Sequence, residues 1–346
     1  MNRFLPLLVL CCVFMGAFGQ RKRSKASTTN ENFTIQQLAP GVWAAIQNDQ
    51  FGRAICNAGI VDLGDKTLVY DPFMTPGAAR DLRTLAFELT GRPVSIVVNS
   101  HYHNDHIRGN QEFMPIASIV STAWTRDKIA TSEPEEQAWE KKHAPALLKA
   151  AKKMYAMGSG ADREELPMWI GYYEGIMESM DELKIILPDI VFNDSLWLMG
   201  TARSVKLEEF KNGHTGSDIV LYLPAEQIAF MGDLLFVKRH PWINDGDPAN
   251  WQLILKKWYE NPSVTTFVPG HGPVCDKQGV KELLGYLSKM QDIATTANTD
   301  SLQSRLLMQP IPSPYDQWSF NRFYEPNMKF LFARNRSTTA AIKNPE

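Results

Sequence analysis

The feature that most constrains this chain is a junction, where the short apolar run Val94 to Asn99 passes through Ser100 into His101-Tyr102-His103-Asn104-Asp105-His106. The run reads as a strand, so three imidazoles and a carboxylate gather at a strand's C-terminal end, where α/β folds place their sites. The chain holds only 7 histidines in 346 residues. Chance production of such a pattern is on the order of 10⁻⁴, which sets it apart from most short motifs. Neutral imidazole and carboxylate are the donors that suit zinc and its neighbours, and a run this dense can serve two ions at once.

Three later segments repeat the arrangement, each with a potential ligand at or just past a strand end. They are Gly213-His214-Thr215, Gly232-Asp233 and Pro269-Gly270-His271-Gly272-Pro273. Glycine lets the backbone turn sharply and come close to an ion. Singly, each belongs to an ordinary turn; in this order behind the histidine run, they read as further ligands. His143, in a charged helical stretch, and His240, after Lys238-Arg239, are read as solvated and are not assigned to metal.

Around these segments strands and helices alternate, which predicts an α/β sandwich. Strands are expected over Val42 to Gln47, Ile55 to Asp62, Thr67 to Asp71 and Val94 to Asn99, with a helix over Pro76 to Thr90. From Trp124 to Leu187 the sequence turns rich in Ala, Glu, Lys and Met at helical spacing, and reads as a helical insertion. Ser132-Glu133-Pro134-Glu135 has the form of a capping box opening its first helix, and Gly158-Ser159-Gly160 marks a break before a second around Met168 to Leu183. Strands return at Ile190 to Phe192, Val205 to Glu209, Ile219 to Leu223, Gln227 to Met231 and Thr265 to Val268. The last strand lies between helices over Trp251 to Tyr259 and Val280 to Ile293.

Composition bounds the surroundings. With a formal net charge of −2, nothing favours a nucleic-acid partner; a small-molecule substrate is expected. Phe4 to Phe18 is an apolar run closed by Ala17-Phe18-Gly19, so residues 1–19 read as a signal peptide and the protein as exported, periplasmic or secreted. Arg21, Lys22, Arg23 and Lys25 follow that run, which keeps an uncleaved anchor open. No later segment nears the roughly 20 apolar residues a spanning helix needs, so no stable span is expected after cleavage. Residues 20–32 read as a flexible tail, 33–296 as the folded domain with an insertion over about 124–187, and 297–346 as an extension packing on it. Cys56 and Cys275 read as two buried thiols.

The sequential segments, from Phe33 to Ile293, resemble the metal-binding motifs of the metallo-β-lactamase superfamily. The resemblance implies a four-layer αββα sandwich and a metal-dependent hydrolase binding two zinc ions, with iron or manganese as alternatives. It implies that His101, His103 and His214 hold one ion, Asp105, His106 and His271 the second, and that Asp233 bridges them. Asp105 would also orient a metal-bridging hydroxide as the nucleophile. Asp71 matches an aspartate that supports the metal loop, a role His-metal sites commonly require. Gly232-Asp233 resembles the glyoxalase II type rather than the resistance β-lactamases, although the His106 ligand set is compatible with weak lactam turnover. With Asp245-Gly246-Asp247-Pro248 and the aromatic tail, it resembles exported hydrolases associated with sulfur-oxidation or quinoprotein systems. An ester, thioester, lactone or amide-type bond is the expected target. Trp318, Phe320, Phe323 and Tyr324 are candidate pocket residues. Two other readings stay open: a persulfide dioxygenase-like enzyme using one iron, and a non-catalytic metal-binding module.

Overall fold

A computed structural model describes residues 30–158, 161–297 and 299–343. The signal peptide expected over 1–19 and most of the tail expected over 20–32 lie outside them. Asn30 and Asn32 are held in place, each donating its side-chain amide to Asp81 Oδ2 at 2.8 and 2.9 Å, so the tail's last residues are tied to the domain.

The first half builds a seven-stranded sheet from β1 (Phe33–Ala39), β2 (Val42–Gln47), β3 (Ala58–Asp62), β4 (Thr67–Tyr70), β5 (Val94–Val98), β6 (Ser118–Thr122) and β7 (Ile190–Phe192), in that order. Its first four strands pair antiparallel and its last four parallel. The β4–β5 crossover is α1 (Pro76–Thr90), which begins where Thr75 caps Ala78 N–H and ends at Gly91 in the left-handed region (φ 73°). Its buried stripe Ala78, Ala79, Leu82 and Ala86 packs on the sheet's outer face against Ile60, Val69, Val97 and Ile119. The expected strand from Ile55 starts only at Ala58. Ile55 has φ 56°, unusual for a β-branched residue, and Cys56 N–H bonds back to Ala54 O at 2.9 Å, so the segment turns instead of extending.

After β5 come the short helix α2 (Asn104–Ile107) and β6, a strand the sequence reading passed over. The insertion is a helical pair, α3 (Ala123–Met157) and α4 (Ala161–Ser179). The expected capping box does not open α3. Thr122, leaving β6, accepts from Thr125 N–H at 3.1 Å and starts the helix ten residues earlier. Ser132 lies mid-helix, its hydroxyl donating back to Lys128 O at 2.8 Å.

The second sheet has the order β12 (Thr266–Val268), β11 (Ile228–Phe230), β10 (Ser217–Leu223), β9 (Ser204–Lys211) and β8 (Ser195–Met199). Inward residues of both sheets, among them Val61, Tyr70 and Val98 facing Leu207, Leu221 and Phe230, fill the space between them. α5 (Pro248–Glu260), α6 (Lys277–Thr296) and the tail helix α8 (Tyr324–Lys343) cover the second sheet's outer face through Trp251, Leu283, Met290 and Leu331. α7 (Asp300–Leu307) precedes α8. The layers are therefore helix, sheet, sheet, helix, with the insertion packing its own small core around Ile55, Trp169 and Phe320. Among the described residues no helix is long and apolar enough to cross a membrane.

Candidate metal centre

The expected ligands converge at one edge of the sandwich, each on the turn that leaves a strand. His101 and His103 follow β5, Asp105 and His106 lie on α2, His214 sits between β9 and β10, Asp233 follows β11, and His271 follows β12. Close backbone approach is built in. A Cβ on Gly270 would stand 1.9 Å from Asp233 Oδ1, so only glycine fits there.

Two groups of donors form. His103 Nδ1 lies 3.0 Å from both His101 Nε2 and His214 Nε2. Asp105 Oδ2 lies 3.4 Å from both His106 Nε2 and His271 Nε2. The Asp233 carboxylate stands between the groups. Its Oδ2 is 3.4 Å from His214 Nε2 and 3.8 Å from His101 Nε2, while its Oδ1 is 3.1 Å from His106 Nε2 and 3.3 Å from His271 Nε2.

Donors at about 2.0 to 2.2 Å around a tetrahedral zinc would stand about 3.3 to 3.6 Å apart, close to these separations. His106 Nε2 and Asp233 Oδ1 are buried and neither makes an aligned hydrogen bond. Buried polar atoms left unmatched in this way are costly, and a cation between them would satisfy both. The residues present therefore fit a pair of divalent ions.

Supporting residues set the ring orientations. Asp71 is fully buried in the left-handed region (φ 54°); its Oδ2 meets His106 Nδ1 at 2.8 Å and its Oδ1 accepts from Ser100 N–H at 2.7 Å. Ser100 Oγ meets His101 Nδ1 at 2.9 Å. Asp245 Oδ2 faces His103 Nε2 at 3.1 Å and accepts from Trp242 Nε1 at 2.8 Å. The next residues of that motif continue the support: Gly246 passes close against Gly213 O and His214 O, and Asp247 caps α5. Thr215, beside His214, is held by the buried Asp218 carboxylate.

The electrostatics follow from this burial. Desolvation drives His101 well below its usual range and His214 down to about 3, so both stay neutral, as ligands must be. Burial also opposes charge on His103 and His106, but Asp245 for the first and Asp105, Asp233 and Asp71 for the second outweigh it. Burial would raise Asp233, yet His271 and His106 pull it well below the usual carboxylate range.

Sequence reasoning missed Ser100 and Asp218, described above, and two further residues. Cys56 Sγ donates to Asp105 O at 2.9 Å and lies with the Asp105 and His106 donors; burial pushes its thiol up to about 12. Asn57 donates its side-chain amide to Pro269 O and Gly272 O at 2.9 and 2.8 Å, clamping the His271 loop. No local pattern marks either residue, because their partners are far away in sequence. His240, expected to be solvated, is buried. Its Nδ1 meets Tyr286 Oη and its Nε2 meets Tyr315 O, both at 3.0 Å, so it binds the tail to the core. His143 stacks on Trp139 and stays outside the centre.

A cavity of about 580 Å³ opens over the donors. Its walls are aromatic, with Trp139, Trp169 and Tyr172 from the insertion, Phe236 and Trp242 from the second half, and Phe320 and Phe323 from the tail. Lys128, Ser132, Glu135 and Glu136 of α3 add polar groups. Burial lifts Glu136 to about 7. Of the four tail aromatics expected to line a pocket, Phe320 and Phe323 do. Trp318 instead stacks on Tyr286 and Tyr324 packs edge-on to His240, because the tail must bury rings to stay attached.

An αββα sandwich carrying a His/Asp cluster at the ends of its strands defines a metal-dependent, hydrolase-like class of protein. The chain belongs to the metallo-β-lactamase superfamily, whose family model matches residues 51–310. Among solved structures it is similar to a metallo-β-lactamase from Erythrobacter litoralis (TM-score 0.53, 17% identity, covering 75% of this chain and 98% of that one). It is also similar to one from Pontibacter korlensis (TM-score 0.51, 18% identity, covering 74% and 99%). A third, from Hirschia baltica, has a TM-score of 0.51 at 14% identity, covering 74% and 97%. At these identities the likeness speaks to the fold alone.

Proposed function

We propose that this protein is a dinuclear metal-dependent hydrolase that cleaves an ester, thioester, lactone or amide-type bond in a substrate with a bulky apolar arm. The observation that carries this reading is the position of Asp233, whose two oxygens face one donor group each. His101, His103 and His214 would hold one ion, Asp105, His106 and His271 the other, with Asp233 shared. Zinc suits this set, with iron or manganese as alternatives. Such a pair, when bound, acidifies a water from about 15.7 toward about 7 and polarises the bond under attack.

The chain's own residues do the rest. Asp105 orients the attacking water, and Asp71, Ser100 and Asp245 fix the histidine rings so that donors need not reorganise. Phe236, stacked on His271 at 4.9 Å, and Phe320 exclude bulk water from one side. The aromatic walls fit an apolar arm, and the about 580 Å³ of space suits a small molecule. Export, read from residues 1–19, belongs to the same proposal; a mature protein starting at Met1 would count against cleavage.

Metal analysis combined with a panel of esters, thioesters, lactones and amides tests the reading. Two divalent ions per chain and turnover of at least one class are expected. A single iron, or no turnover with both sites loaded, would overturn it.

A further inference from the structure

The helix α3 carries two opposite charges along its length. Its first half supplies Glu133, Glu135, Glu136 and Glu140, which face Arg108, Asn104 and the cavity. From Lys141 to Met157 it has five lysines and no Asp or Glu. In that second half Ala144 and Ala151 are buried against α4, with Leu147 and Leu148 packed beside them. Lys142, Lys149 and Lys153, spaced seven and four residues apart, fall on one exposed stripe, which Lys141 and Lys152 flank. Lys152 pairs with Glu174 at 2.7 Å, whereas Lys141, Lys142, Lys149 and Lys153 have no ion-pair partner among the described residues. Beyond the stripe the helix ends in Met154, Tyr155 and Met157, which are 56, 38 and 76% exposed. Past the tip the sequence returns to negative charge at Asp162, Glu164 and Glu165, and Arg163 lies over Tyr155.

A lysine stripe alone is a solvated face, and three exposed apolar side chains alone are ordinary surface. Their union on one helix end is not explained by burial, since the lysines, Met154 and Met157 are all exposed. We propose that the second half of α3 docks on an anionic lipid surface, the lysines contacting headgroups and Met157, with Met154 at the edge of the stripe, entering the interface. The long lysine stems permit this, because they reach headgroups while the helix lies flat. Nucleic acid would also attract the lysines, but it offers the methionines nothing apolar, so the observations favour lipid. The inference stands independently of the hydrolase reading.

Co-sedimentation of the full chain with vesicles tests it. Binding to phosphatidylglycerol-containing vesicles at low salt, weak binding to pure phosphatidylcholine, and release as salt rises are expected. At about fivefold per lysine, Lys142→Gln/Lys149→Gln/Lys153→Gln should weaken partitioning on the order of a hundredfold. Met154→Ser/Met157→Ser should weaken it at every salt concentration. All these positions are exposed, so both variants should keep the parent melting temperature. Equal binding to both vesicle types, unchanged binding by the lysine variant, or tighter binding to duplex DNA than to anionic vesicles would overturn the proposal.

Discussion

The floor of the cavity and its roof are built on different principles. The floor takes its seven candidate donors from turns at the edge of two sheets, and three of its five imidazoles, His101, His103 and His106, are held by a second hydrogen bond from Ser100, Asp245 or Asp71. The roof comes from the insertion and the tail, outside the sheets. There Glu165 accepts from the backbone N–H of Phe320 and from the indole of Trp169, while Arg322 lies 4.3 Å over Trp169 and donates to Tyr173. Phe320 itself sits in the left-handed region at φ 66°, so its ring position depends on these contacts. The floor is thus suited to carrying the chemistry and the roof to choosing the substrate.

The strongest way to break this contrast is Asp233→Ala. It should lower activity at least about 10³-fold and strip metal from both donor groups, while far-UV circular dichroism stays that of the parent. Near-normal metal content would end the bridging scheme. The tail's attachment to the core should be sensitive to acid through His240. Burial lowers His240 to about 4 from a usual value near 6.5, so its neutral form stabilises the fold above about pH 6.5. That contribution fades as pH falls through 6.5 toward 4, up to about 3 kcal/mol, because the unfolded chain takes up the proton first. Denaturant midpoints measured across this range should fall less steeply in His240→Gln; identical slopes would show that His240 does not anchor the tail.

Asp71→Asn tests the floor's support. It keeps the shape but leaves His106 Nδ1 with a weaker partner, and metal affinity should fall about 10- to 100-fold by competitive chelator titration. The smallest effect belongs to the roof. Phe320→Ala should cost about tenfold in kcat/KM for an apolar-armed substrate and little for a short one. An equal loss for both would move Phe320 from substrate choice to the chemistry.

The same division explains what was readable in the sequence. The floor's ligands announce themselves because each lies on a strand-end turn with a glycine or in the dense run from His101, and strand patterning is local. The helix Pro76 to Thr90 was legible to the residue for the same reason, with Thr75 and Gly91 at its ends. Cys56, Asn57 and Asp218 were not legible, since each acts through partners that only the folded chain brings near. The start of α3 was misplaced because Ser132-Glu133 matches a capping box, while Thr122 had already supplied the cap. β8 escaped notice because its outward residues Trp197 and Met199 are apolar and blur the alternation.

Asn57 has a consequence for the order of events during synthesis. Its amide joins Pro269 and Gly272, 212 and 215 residues away, so the His271 loop cannot be seated until the chain beyond Gly272 has left the ribosome. Contacts this distant in sequence form late, after local helices and hairpins. The donors from His101 to His106 would then exist for some time as a half-built site able to hold a stray cation only loosely. Metal choice would therefore be made by the finished protein, in whichever compartment it completes its folding.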